Sequence, residues 1–133
     1  MTENTPHLFP VRVYYEDTDM AGIVYYANYL RFIERARSDW VRSIGIDQNK
    51  MKLMDGLVFA VRRVEADYVA PAHFDDELTI ETQTQSAGAA RLILQQDIRR
   101  GTDIIFSAIV TIVCISERGK PARLPTNIRT SLG

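Results

Sequence analysis

The feature that most constrains this chain is one long amphipathic helix in a sequence otherwise built for strands. Between Tyr26 and Ile44 the apolar residues Tyr26, Tyr29, Leu30, Phe32, Ile33, Ala36, Trp40, Val41 and Ile44 recur at spacings of three and four. Arg31, Glu34, Arg35, Ser38, Asp39 and Arg42 fill most positions between them. The spacing predicts a helix about 28 Å long with a broad apolar face, and Gly45 is placed to stop it. A face that wide needs several strands to cover it. The chain supplies them as period-two or continuous apolar runs at 10–15, 57–68, 77–86, 90–99 and 102–116. Turn residues separate the later runs: Ala70-Pro71-Ala72, Gly88 and Gly101. Residues 47–55 suggest a short second helix closed by Gly56, and the tail from Glu117 reads as loose. Strands in sequence after one helix argue an α+β chain with an antiparallel sheet, wrapped around the helix. The run at 102–116, nearly all apolar, is expected to be central and covered.

Size and charge narrow the function. At 133 residues the chain reads as one domain, 1–133, since halves would approach the size at which cores fail. Sixteen Lys and Arg against seventeen Asp and Glu argue against a general nucleic-acid binder. One cysteine, Cys114, excludes an internal disulfide and reads as a small core residue, and a reducing compartment fits. With His7 and His73 alone beside it, no usual structural zinc site can be assembled. Met1–Pro6 lacks the basic start and apolar core of a signal peptide. The longest mostly apolar stretch, 104–115, is too short to span a bilayer. A cytoplasmic protein without a membrane anchor is expected.

The densest chemistry lies between the first strand and the helix, in Tyr15-Glu16-Asp17-Thr18-Asp19-Met20-Ala21-Gly22 and the aromatic residues after it. Three carboxylates in four positions form either a solvated, capping turn or a catalytic acid group. Aromatic and apolar residues resume directly after Gly22, so at least one carboxylate should face a partly buried cleft, where desolvation would make it a base or nucleophile. The helix start nearby offers free N–H groups that can polarise a carbonyl oxygen. A calcium loop fails, because Ala21 and Asn28 occupy the fifth and twelfth ligand positions. No G-x-S-x-G, G-x-G-x-x-G or Walker sequence is present, and His73 reads as an exposed loop residue. Glu34 is either half of an i,i+3 pair with Arg37 or Arg31, or a second carboxylate aimed at a neighbouring subunit's cleft.

Val11-Arg12-Val13-Tyr14-Tyr15-Glu16-Asp17-Thr18-Asp19, Gly22-Ile23-Val24-Tyr25-Tyr26-Ala27-Asn28-Tyr29 and Glu34-Arg35-Ala36-Arg37 together resemble the hotdog-fold acyl-CoA thioesterases. The nearest likeness is to the YbgC, or Tol–Pal-associated, branch, related to 4-hydroxybenzoyl-CoA thioesterase. It continues through Tyr68-Val69-Ala70-Pro71-Ala72 and Asp75-Asp76. The resemblance implies a sheet wrapped around one central helix, hydrolysis of an acyl-CoA to free acid and coenzyme A, and no metal or other cofactor. It implies homodimers or homotetramers with the active site between subunits. It assigns Asp19 as nucleophile or general base and the backbone N–H of Tyr26 as the carbonyl-polarising donor. Tyr25 and Asn28 are the expected substrate contacts, with Arg91 as the basic residue nearest the region that holds coenzyme A phosphates. Many YbgC-type members carry His where this chain has Tyr26. Two rivals stay open: an enzyme acting on acyl carrier protein thioesters, and a non-catalytic acyl-CoA or protein-binding module.

Overall fold

The computed structural model describes residues 5–126, 129 and 130. The N-terminal residues 1–4, part of the stretch read above as lacking a leader, lie outside the described residues, as does most of the extreme tail. Strand β1 (His7–Arg12) leads into a short 3-10 turn, Tyr15–Asp17, and then helix α1 (Asn28–Ser43). A further helical turn, α2 (Gln48–Lys50), continues as a π-helical turn over Met51–Asp55. Four strands follow: β2 (Leu57–Tyr68), β3 (Glu77–Ala87), β4 (Arg91–Arg100) and β5 (Asp103–Ser116). They form one antiparallel sheet in the order β1-β3-β4-β5-β2.

Helix α1 buries Tyr29, Phe32, Ile33, Ala36, Trp40 and Val41 against one sheet face, where Leu78, Ile80, Leu94, Ile98, Phe106 and Val110 receive them. Two polar residues, Gln96 and Thr82, sit in that layer. Gln96 is fully buried, and its amide donates to the Ile33 carbonyl and to Thr82 Oγ1, both at 3.0 Å. Its Oε1 accepts from Arg37 at 3.0 Å. Two of these three bonds reach α1 and the third reaches β3, so the residue fixes where α1 sits on the sheet. At the far edge, His7 of β1 reaches Asp39 of α1 at 2.9 Å.

Strands β2 to β5 fall within a residue of the expected ranges, but three expectations need correction. The first strand lies at 7–12, not 10–15, because an edge strand tolerates Pro10 and because the chain leaves the sheet once Tyr14 N–H turns to Asp17. Tyr15, within the expected strand range, instead begins the 3-10 turn and is exposed. Strand β5 is central, but beyond Ile105 only its Phe106, Ala108, Val110, Ile112 and Cys114 face is covered; Ile109, Thr111, Val113 and Ile115 stay half-exposed on the outer face. The tail is not loose up to Leu124. Ala122 N–H donates to the Cys114 carbonyl at 2.9 Å, Leu124 N–H to the Ala89 carbonyl at 2.8 Å, and the Leu124 side chain is buried.

The Gln96 contacts predict a measurable cost. Gln96→Leu leaves the Ile33 carbonyl bond and the Thr82 and Arg37 bonds unmade in a dry layer, and is expected to lose about 1–3 kcal/mol in urea unfolding. Unchanged stability would contradict the account of how α1 is seated.

Candidate active site

The carboxylate-rich loop is built around Asp17. It is only 5% exposed, and its two oxygens accept from Tyr14 N–H at 2.8 Å and from Asn28 Nδ2 at 2.9 Å. Asn28 is the first residue of α1, so the loop's entry and the helix's start close on one side chain. The backbone then doubles back as a small antiparallel ladder. Tyr25 N–H donates to the Asp17 carbonyl and Asp19 N–H to the Ile23 carbonyl, both at 2.9 Å, with Thr18 bridged to Val24. Gly22, at φ +81°, makes the reversal, a conformation that costs a residue with a Cβ.

Asp19 sits at the open end of this ladder. Its side chain is exposed, and its Oδ1 accepts from Ala21 N–H at 2.9 Å, which sets the carboxylate's orientation. The carboxylate expected to be buried is therefore Asp17, and its burial serves structure. Within the single chain, burial does not distinguish Asp19.

The helix begins at Asn28 instead of Tyr26, because residues 25–28 form a turn in which Asn28 N–H donates to the Tyr25 carbonyl at 2.8 Å. This leaves Tyr26 just ahead of α1. Its N–H donates to no acceptor among the described residues. The Tyr26 ring is 63% exposed and lies 4.9 Å from Tyr25 and 6.3 Å from Tyr68, centroid to centroid. Asn28 is buried and already bonded to Asp17, so its place is in the support of the loop and not on its open surface.

Several supporting residues were not singled out from the sequence. Tyr29 stacks on Phe106 at 5.3 Å and meets Tyr68 edge-on at 5.5 Å. Its hydroxyl oxygen accepts from Ala72 N–H at 3.0 Å, while the Ala72 carbonyl accepts from Val24 N–H. Burial raises the Tyr29 phenol above its ordinary range, with the Ala72 bond and Arg100 opposing and the Asp76 and Asp19 carboxylates adding to it. The segment 71–76 is held in turn by Arg100, which donates to the Pro71 carbonyl and to Asp76, both at 3.0 Å. Burial disfavours the charged Asp76, yet the His73 N–H and Arg100 outweigh it and hold the carboxyl below its usual range. Tyr29 reads in the sequence as one more apolar helix position, and nothing in its spacing marks the hydroxyl.

Two expected contacts lie elsewhere. Arg91 begins β4, whereas Arg100, beside the site, ends it; the two are about 30 Å apart along the strand. Glu34 pairs with neither Arg31 nor Arg37; its Oε2 accepts from Ser38 Oγ at 2.7 Å, and Arg37 turns to Gln96. Glu34, Arg37, Ser38 and Val41 line, with Phe59 and Ile112, a cleft of about 170 Å³ between α1 and β2. Among the described residues no cluster of His, Cys, Asp and Glu is placed to hold a metal ion.

Comparison with known proteins places this arrangement. Residues 21–106 match the family model of the Thioesterase superfamily. The chain is 36% identical over 124 residues to the acyl-CoA thioesterase YbgC of Haemophilus influenzae, covering 92% of this chain and 91% of that protein. It is 38% identical over 122 residues to the acyl-CoA thioester hydrolase YbgC of Escherichia coli, covering 90% of each. A probable thioesterase from Bartonella henselae superposes with a TM-score of 0.86 at 40% identity, covering 91% of this chain and all of that one. The α+β architecture is the hotdog fold, and the chain belongs to the thioesterase superfamily.

Proposed function

We propose that this protein is an acyl-CoA thioesterase, a single hotdog domain that hydrolyses an acyl-CoA to the free acid and coenzyme A with Asp19 as its acting carboxylate. The observation that carries the reading is the unengaged Tyr26 N–H, held ahead of α1 by the same ladder that presents Asp19. As general base, Asp19 removes a proton from the water that attacks the thioester carbon; as nucleophile, it attacks that carbon itself. In both cases the carbonyl oxygen gains negative charge, which the Tyr26 N–H and the positive end of α1 receive. The charge returns, the C–S bond breaks, and the coenzyme leaves as a thiolate that then takes a proton; in the nucleophilic route the acyl group is left on Asp19 as an anhydride, which water hydrolyses to the free acid and the Asp19 carboxylate. A thiolate is a stable leaving group, so this sparse equipment suffices. The exposed rings of Tyr25, Tyr26 and Tyr68 offer the apolar surface against which we seat the pantetheine and acyl group.

Strand β2 supports an oligomer. Among the described residues it bonds only to β5, which leaves a 12-residue edge with exposed Val61, Val64 and Tyr68. Open apolar edges invite pairing, and we take the working form to be a homodimer through β2, with tetramers formed from it. Arg91, remote from Asp19 in its own chain, contacts the coenzyme nucleotide only from a neighbouring subunit. Cys114 is free and buried, and no helix among the described residues is long and apolar enough to cross a membrane. Both suit the cytoplasm, where we place the protein.

Three outcomes are expected. In a thiol-release assay over short, long and aromatic acyl-CoAs, Asp19→Asn lowers kcat by about 100- to 10,000-fold with the circular dichroism spectrum intact. Asp17→Asn turns a donor toward donors, and costs stability first and kcat much less; a reversed order of the two kcat losses would refute the assignment. The same panel on acyl carrier protein separates the carriers. Tyr26→Phe is nearly silent, whereas Tyr26→Pro deletes the N–H at a turn position that accepts proline and loses about 100- to 1,000-fold. A large loss in Tyr26→Phe would mean that the hydroxyl, not the backbone, acts. Sedimentation should give a dimer or tetramer, and a stable, active monomer would contradict the edge-strand argument.

A further inference from the structure

The turn Met51–Asp55 holds two large apolar side chains out to solvent: Leu53 is 85% exposed and Met54 77% exposed, while neighbouring Met51 is buried as an anchor. The turn is ordered by Gly56 N–H, which donates to the Lys52 carbonyl at 3.1 Å. A built turn that displays two such side chains reads as one half of a contact. The other half stands at the opposite end of β2, where Tyr25, Tyr26, Tyr68 and Val69 are exposed around the free N–H.

The residues of β2 say how the halves meet. Arg63 and Glu65 flank the exposed Val64 and point the same way. An antiparallel pairing of two copies about Val64 sets Arg63 of each opposite Glu65 of the other. A pairing centred one step earlier, between Arg62 and Arg63, would set arginine against arginine. The bulge between Val61 and Arg63 makes Arg62 an extra residue. Val61 then faces Ala66 of the partner subunit, Ala60 faces Asp67 of the partner subunit, and Phe59 faces Tyr68 of the partner subunit. Inward-facing residues oppose inward-facing ones throughout, as a half-buried sheet requires. In that pairing Leu57 comes opposite Ala70 of the partner subunit, which brings the turn before it to the end of β2 where the partner's tyrosines stand.

We propose that Leu53 and Met54 of each subunit roof the thioester channel of the other and set the length of acyl chain it accepts. The inference rests on the thioesterase reading and the β2 pairing given above, and it names the residues that one copy supplies to its partner's site.

Complementation tests it. Leu53→Asp/Met54→Asp alters only exposed positions, and should lower kcat/KM for octanoyl-CoA about tenfold or more, the worth of lost apolar contacts. Two-tag purification then isolates heterodimers of that variant with Asp19→Asn. If the roof acts across the interface, each heterodimer keeps one intact site, with Asp19 from one chain and the roof from the other. About half the wild-type rate per dimer is expected. A rate no higher than that of the roof variant alone would overturn the inference. Leu53→Trp gives a second reading: the ratio of octanoyl-CoA to acetyl-CoA turnover should fall at least severalfold, and an unchanged ratio would also overturn it. Wild-type protein that released thiol from no acyl-CoA would instead overturn the function proposed above.

Discussion

The buried Asp17 carboxylate is the contact on which the rest of the site depends. A charged group that is 5% exposed is costly unless its oxygens are satisfied, and here Tyr14 N–H and Asn28 Nδ2 satisfy both sides. One partner ends the first strand's excursion and the other begins the helix. The bond pair therefore decides where the chain leaves β1, where α1 starts and which N–H is left over. The ladder of residues 17–19 against 23–25 follows from it, and that ladder presents Asp19 on one side and Tyr26 on the other. The groups to which we assign the chemistry are exposed, and their support is buried.

A second layer of bonds ties this loop to the sheet. Ala72 donates to the Tyr29 hydroxyl and accepts from Val24, and Arg100 and Asp76 hold the strand connection that carries Ala72. Gln96 fixes the helix beneath. A buried polar network of this kind specifies one arrangement because each half-made alternative leaves a polar group unpaired. The sheet wrapped around α1 thus acts as a jig for one loop.

Much of this was legible in the sequence. The helix face, the four later strands and their hairpin turns follow from periodicity, and the tight loop at Gly22 follows from residue type. The rest depended on partners that periodicity does not reveal. Which of Asp17 and Asp19 is buried turns on a backbone N–H three residues back and an amide eleven residues on. The two-residue delay in α1 follows from a turn bond to the Tyr25 carbonyl. Glu34 looks like an ion-pair residue on any helical wheel, yet its hydrogen bond comes from Ser38 while Arg37 reaches Gln96. Arg91 is near the site in no sense that one chain can express. The tail looked loose because its anchors, Ala89 and Cys114, belong to the β3–β4 turn and to β5.

The central claim is that Asp19 and the Tyr26 N–H act on one carbonyl group. The most direct measurement is a crystal structure of the protein with an acyl-CoA analogue in which a methylene separates sulfur from carbonyl, so that the bond cannot be cleaved. The account predicts the carbonyl oxygen within hydrogen-bond distance of the Tyr26 nitrogen, with the Asp19 carboxylate facing the carbonyl carbon directly or through one water. A carbonyl bound elsewhere, with the Tyr26 N–H still facing solvent, would contradict it.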